Sequence, residues 1–186
     1  MDSPARADRP LLEAIAFAAR AHRHHLRKDG QTPYVSHVFR VCLIVRHLFG
    51  VDDPDALTAA VLHDTIEDTT TDFDDIAEHF GRRVAEWVAL LSKDKRRVDE
   101  EREQEYVDGL RRACWQVRVC KLADIYDNLT DMAHTRPEQR QRTLRRSRLY
   151  LDALQAPWPE PPPEAGRLAF ERAVRLVTAL HAAAEV

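Results

Sequence analysis

Glycine is scarce in this chain, at five residues in 186. Few turns can therefore rely on positive φ, which argues against a many-stranded sheet and for helices joined by short connections. Cysteine is scarce too. Cys42, Cys114 and Cys120 are odd in number and form no C-x-x-C pair. That spacing excludes a disulfide framework and a thiolate zinc site, and leaves reduced thiols in a core. No apolar run approaches the length needed to span a bilayer; Val41-Cys42-Leu43-Ile44-Val45 is typical, so no membrane partner is expected. A basic excess is also missing, with 28 Lys and Arg against 31 Asp and Glu. Nucleic acid is therefore not an expected partner, because backbone binding needs a cationic face. A small phosphorylated ligand needs only a few local cations. The opening Met1-Asp2-Ser3-Pro4-Ala5-Arg6 lacks the cation-then-apolar order of a signal peptide, so a cytoplasmic location is expected.

What is present is an ordinary globular balance, 44% apolar and 32% charged, at a length that suits one domain. The fold class expected is all-α, a single-domain bundle of about eight helices. Pro10 opens a first helix through Leu12, Ile15, Ala16 and Ala19. Residues 27–33 read as a loop. After Tyr34, Val38, Val41, Cys42, Val45, Leu48 and Phe49 recur at three- and four-residue steps as one apolar face that Gly50 ends. Asp53-Pro54 is a cap followed by proline, and starts a third helix that runs into His63-Asp64. Thr71 reads as the cap of a short helix ending near Gly81. Further helices are expected around Val84–Leu91, over Val117–Met132 and over Leu144–Leu154. The charged stretch Lys93–Arg102 reads as a solvated loop and helix start. Residues 1–155 thus form the core. The stretch 156–163, with five prolines in Pro157-Trp158-Pro159 and Pro161-Pro162-Pro163, is a stiff connector. Residues 164–186 carry a last helix packed on the same domain.

The chemistry concentrates in Leu62-His63-Asp64-Thr65-Ile66-Glu67-Asp68. On one continuous helix, His63 stacks beside Glu67 and Asp64 beside Asp68. Three carboxylates this close repel one another unless a cation lies among them, and a divalent metal meets that need. A bare His-Asp dipeptide is more often a surface or capping pair, so two other places matter. His37, in Pro33-Tyr34-Val35-Ser36-His37, begins a strongly apolar helix. Asp124, in Lys121-Leu122-Ala123-Asp124-Ile125-Tyr126-Asp127-Asn128, follows an apolar stretch where an unpaired carboxylate is costly, with Asn128 one turn on.

The order H…HD…ED…KLAD-x-x-x-N resembles the HD-domain superfamily. It is more closely similar to the hydrolase domain of RelA/SpoT proteins and to small single-domain metazoan-type SpoT homologues. The resemblance runs from about Leu11 to Met132 and includes Arg27-Lys28, Thr32-Pro33-Tyr34 and the block Ala59–Thr69. It implies removal of the 3′-pyrophosphate from guanosine tetra- and pentaphosphate alarmones, with one Mn²⁺ ion. It implies His37, His63, Asp64 and Asp124 as metal ligands and Glu67 and Asp68 as the catalytic acidic pair. Arg27, Lys28 and Asn128 match positions that line the nucleotide site.

Three positions depart from that pattern. Val38 stands where proline is usual, Ile125 where Arg or Lys is usual, and Asp127 where His or an aromatic is usual. A lost cation at 125 and a gained anion at 127, beside the nucleotide, would weaken binding of a highly charged alarmone. Another nucleotide such as NADPH, or a nucleotide-sensing module without turnover, therefore stand as alternatives. Oligomeric state is not read from the sequence.

Overall fold

The computed structural model describes residues 9–132 and 135–185; the Met1–Arg6 segment read for a signal peptide lies outside them. Among the described residues the regular structure is helical. The elements are α1 (Arg9–Ala21), α2 (Val35–Leu43), α3 (Pro54–Leu62), α4 (Thr65–Asp68), α5 (Phe73–Phe80), α6 (Arg82–Leu91), α7 (Asp99–Arg112), α8 (Trp115–Thr130), α9 (Pro137–Leu154) and α10 (Glu164–Ala184). No helix among them is long and apolar enough to cross a membrane.

Two helices form the centre. In α3 every residue from Ala56 to Leu62 is buried, which is the signature of a helix surrounded by others. It packs against α1, α2, α6 and α8. Asp53 caps it as expected, its side chain accepting from the Asp55 and Ala56 amides. The second central helix, α8, buries Val117 through Ile125 and has α10 lying along it. The apolar stripe after Tyr34 is observed, with Val38, Val41, Cys42, Val45 and Phe49 all buried. It is not one regular helix, however. Ile44–Leu48 widens into a π turn, with the Phe49 amide bonded to the Ile44 carbonyl at 3.0 Å. The extra residue leaves Leu48 exposed at 42% while Phe49 stays buried.

The cap of α5 is Asp72, one residue beyond the expected Thr71. Asp72 and Asp75 bond each other's backbone amides in a reciprocal box. Gly81 ends α5 at φ +88°, a conformation only glycine adopts freely.

The proline-rich connector is tied down by Arg118. Its guanidinium is fully buried and donates to the carbonyls of Ala113, Arg111, Leu154, Ala156 and Pro157. The same group lies 4.1 Å from the Trp158 ring centre, and Trp158 packs edge-on to Phe170 of α10. Gly166 lets α10 approach the Trp115 ring, where a Cβ would meet ring carbons at 2.8 Å.

Candidate metal centre

Three segments meet at one buried point: the end of α3, the first turn of α2 and the middle of α8. The helix that carries His63 stops one residue before it. Asp64 sits at φ −101°, ψ −1°, outside regular helix. One local and one distant side chain satisfy the freed carbonyls. Thr65 Oγ1 donates to the Leu62 carbonyl at 2.6 Å, and Ser92 Oγ to that of His63 at 3.3 Å. The expectation of one continuous helix is thereby corrected, although the Asp68 amide still bonds the Asp64 carbonyl one turn back at 2.9 Å. The Glu67 carboxylate accepts from the Lys93 amide at 2.8 Å, and Asp68 pairs with Lys95 Nζ at 2.6 Å.

The structure brings His37, His63, Asp64 and Asp124 together. His37 Nε2 lies 3.2 Å from Asp124 Oδ1 and 3.5 Å from Asp64 Oδ2. His63 Nε2 lies 3.0 Å from Asp64 Oδ2 and 3.8 Å from Asp124 Oδ1. One donor atom each from His37, His63 and Asp124 falls within 4.8 Å of the others.

Both imidazoles are held by their other nitrogen. His63 Nδ1 donates to the Ala60 carbonyl at 2.8 Å, and His37 Nδ1 to Asp127 Oδ2 at 2.6 Å. In their neutral, metal-binding form both imidazoles present the Nε2 lone pair, and both Nε2 atoms face the carboxylates. His63 Nε2 is buried and, although close to Asp64, lacks a hydrogen bond of acceptable geometry. A buried acceptor left so is costly; a metal ion relieves it. Two imidazole nitrogens and two carboxylates suit manganese, iron or zinc, so the residues fit such an ion.

The electrostatics agree. Burial alone would lower the His37 pKa, but Asp124, Asp127 and Asp64 overcome it and push the imidazole up to about 10. Burial likewise works to raise Asp64, yet His63 and His37 hold its carboxyl well below the usual range. Asp124 is depressed against its own burial by Lys121 and the two imidazoles. The cluster demands positive charge, and a divalent cation supplies it. Tyr34 Oη donates to Asp64 Oδ2 at 2.5 Å, and Asn128 Nδ2 to Asp124 Oδ1 at 2.6 Å. Glu67 behaves differently: burial raises its carboxyl, only partly offset by the Lys93 amide.

Beside Asp124 opens a cavity of about 190 Å³, lined among others by Lys28, Lys93, Lys121, Asn128, Arg146 and Tyr150. Lys93 also lines a second cavity of about 460 Å³, which holds Glu67. Arg27, expected with Lys28 at the nucleotide, lines neither. It is buried, donates from Nε and Nη2 to Asp131 at 2.9 and 2.6 Å, and anchors its loop.

Asp127 also departs from expectation. It is buried, bound to His37 and to Arg40 at 2.6 Å, and does not line the cavity. Its charge is neutralised where it sits and adds no anion to the nucleotide face. Ile125 does line the cavity, and Arg146 of α9 brings a cation to the same walls. Sequence reasoning missed Lys121, Arg146, Tyr150 and the His37 support by Asp127. Lys121 stood in the quoted KLAD block; Arg146 had no local signal.

A His-Asp dipeptide, an earlier histidine and a distant aspartate, converging within a helical domain, are the marks of the HD domain. The chain belongs to that family, whose model matches residues 14–151. Among its relatives is the human guanosine-3′,5′-bis(diphosphate) 3′-pyrophosphohydrolase MESH1, 41% identical over 129 residues, 69% of this chain and 72% of that one. The MESH1 of Drosophila melanogaster is 36% identical over 128 residues, 68% of this chain and 72% of that one. The bifunctional (p)ppGpp synthase/hydrolase SpoT of Escherichia coli is 33% identical over 142 residues, 73% of this chain but 20% of that one. A solved structure described as a metazoan ortholog of SpoT that hydrolyzes ppGpp matches with TM-score 0.75 at 28% identity, covering 94% of this chain and 97% of that one.

Proposed function

We propose that this protein removes the 3′-pyrophosphate from guanosine tetra- and pentaphosphate, with manganese held by His37, His63, Asp64 and Asp124. The observation that carries the reading is the buried His63 Nε2 without a hydrogen bond, facing carboxylates of which one, Asp124, lines a cavity walled by cations. The activity named for the MESH1 relatives supports the choice of substrate.

Hydrolysis forms a bond from a water oxygen to the phosphorus carried on the ribose 3′-oxygen. The bond from that phosphorus to the 3′-oxygen breaks, the 3′-oxygen takes a proton, and pyrophosphate leaves. When bound, the metal supplies Lewis acidity and offsets charge gathering on phosphorus. Glu67 accepts the water proton. Its burial raises its pKa, which makes it a better base than a solvated carboxylate. The Lys93 amide fixes its orientation. Asp68, half-exposed and held by Lys95, passes protons to solvent.

Lys28, Lys93, Lys121 and Arg146 receive the phosphates. Lys93 and Lys121 are held in place between the rings of Tyr106 and Tyr150, each within about 5 Å of both centres. Asn128 holds Asp124 and lines the same cavity.

The test is incubation of the purified chain with manganese and guanosine tetraphosphate, with the products separated by ion exchange. GDP and pyrophosphate are expected. Turnover of NADPH in preference to the alarmone, or binding without turnover, contradicts the proposal and selects one of the two alternatives.

A further inference from the structure

Lys93 lies in the charged loop between α6 and α7 and is tied at both ends. Its amide donates to Glu67 Oε2 at 2.8 Å. Its Nζ donates to Glu103 Oε2 of α7 at 3.0 Å and to Tyr150 Oη of α9. Tyr150 Oη in turn donates to Glu103 Oε1, which closes a triangle of three side chains. The triangle is shielded from water. The Lys93 and Glu103 side chains are 13% and 23% exposed, and Tyr150 is buried. Glu100 and Glu101, earlier on the same helix, are exposed instead.

Charge explains why a carboxylate stands there. Lys121 lies beside the same two tyrosine rings as Lys93, so two ammonium groups share one small space and repel each other. Asp124 pairs with Lys121 at 2.7 Å, and Glu103 pairs with Lys93. Burial works to raise the Glu103 carboxyl, but the bonds from Tyr150 and Lys93 hold it below its usual range. It is therefore an anion at neutral pH. Glu103 lines neither the cavity beside Asp124 nor the one that holds Glu67, so any effect on the reaction runs through Lys93.

We propose that Glu103 is a positioning residue: through Lys93 it holds in place the amide that orients the Glu67 carboxylate. This rests on the function proposed above and adds a residue to it. Without Glu103, the Lys93 ammonium keeps one neutral partner and faces the Lys121 charge unopposed. It swings away, and its amide moves off Glu67. Supporting hydrogen bonds of this kind keep a reacting group in its productive geometry.

The experiment measures manganese-dependent turnover of guanosine tetraphosphate by wild type, Glu103→Ala, Glu67→Gln and the double variant of the two. Glu103 lies mid-helix and half-exposed, where alanine suits the helix; a melting curve checks each fold. Glu103→Ala is expected to lower kcat by about ten- to a hundredfold, the scale of a misplaced catalytic group. KM stays the same or falls, because Lys93 is freed toward the phosphates. In the Glu67→Gln background, Glu103→Ala lowers the residual rate no further, since no base is left to misplace. Glu103→Gln keeps the shape of the triangle and recovers part of the loss; if alanine unfolds the domain, it replaces alanine in the same cycle. A raised KM at normal kcat, or losses that multiply in the double variant, overturns the proposal.

Hydrogen exchange of the Lys93 amide, read by NMR without substrate, separates this proposal from the one it rests on. If the wild type releases no GDP, the hydrolase reading fails. Exchange at Lys93 that is roughly tenfold faster in Glu103→Ala, with the Leu122 and Ala123 amides unchanged, then still supports Glu103 as the holder of that amide. Equal exchange at Lys93 in both proteins overturns it.

Discussion

Asp127 accepts a 2.6 Å hydrogen bond from His37 Nδ1 while its other oxygen takes one from Arg40 Nε at the same distance. His37 is thereby turned so that Nε2 faces Asp64 and Asp124. A carboxylate behind a ligating histidine also makes the imidazole a stronger donor, and losing such a partner typically costs about 10- to 100-fold in metal affinity. Asp127→Asn keeps an acceptor for Nδ1 but removes the charge. It is expected to weaken manganese binding by about that range, measured by titration of the metal-free protein. Unchanged affinity would show that His37 needs no charged support.

In the proposed mechanism Glu67 acts on water and does not hold metal. Glu67→Gln keeps the hydrogen bond from the Lys93 amide, since the side-chain oxygen still accepts, but cannot take a proton. The expected result is wild-type manganese stoichiometry with kcat reduced by about 10²- to 10⁴-fold. A normal rate removes Glu67 from the mechanism, and lost metal makes it a ligand.

His22 gives the stability a pH dependence. Burial lowers its pKa from 6.5 to about 4, against the pull of Asp64, and its Nδ1 lies 3.2 Å from His25 Nδ1. In the unfolded chain it titrates near 6.5, so between that value and about 4 the unfolded state binds more protons. Its neutral form in the fold therefore costs nothing above pH 6.5. The penalty builds as pH falls to about 4, reaching at most about 3 kcal/mol, and levels off below. Denaturant unfolding of His22→Gln should lose part of the decline in that window relative to wild type. Parallel curves would assign the decline to other groups.

Gly166 sets how closely the last helix lies on the domain. Alanine there gains about 1 kcal/mol in helix propensity, but its methyl group meets the Trp115 ring at 2.8 Å. Overpacking of that kind costs about 1–3 kcal/mol, so Gly166→Ala is expected to lower the melting midpoint by a few degrees. A raised midpoint would mean that α10 shifts freely on α8.

Much of this was legible in the sequence. The helix starts at Pro10 and Asp53-Pro54, the apolar stripe of α2 and the four residues that converge are all local signals. What escaped depends on tertiary context. The break at His63-Asp64 interrupts no apolar pattern, and it is sealed by Ser92 from 29 residues away. The π turn at Ile44–Leu48 shows in sequence only as a helix face that drifts by one residue. Arg27 and Asp127 were read as groups facing the nucleotide, because nothing local tells that their partners are Asp131, His37 and Arg40. Arg146 reaches the cavity from a helix that begins well past the motif.

The most direct test of the metal centre and its chemistry is reconstitution. Chelator-stripped protein receives manganese in steps while guanosine tetraphosphate is present, and GDP, pyrophosphate and bound metal are measured together. Activity should rise with manganese and plateau at one ion per chain, and Asp64→Ala should neither bind the ion nor release GDP. Full activity in the stripped protein, or wild-type rate in Asp64→Ala, would contradict a reaction run at His37, His63, Asp64 and Asp124.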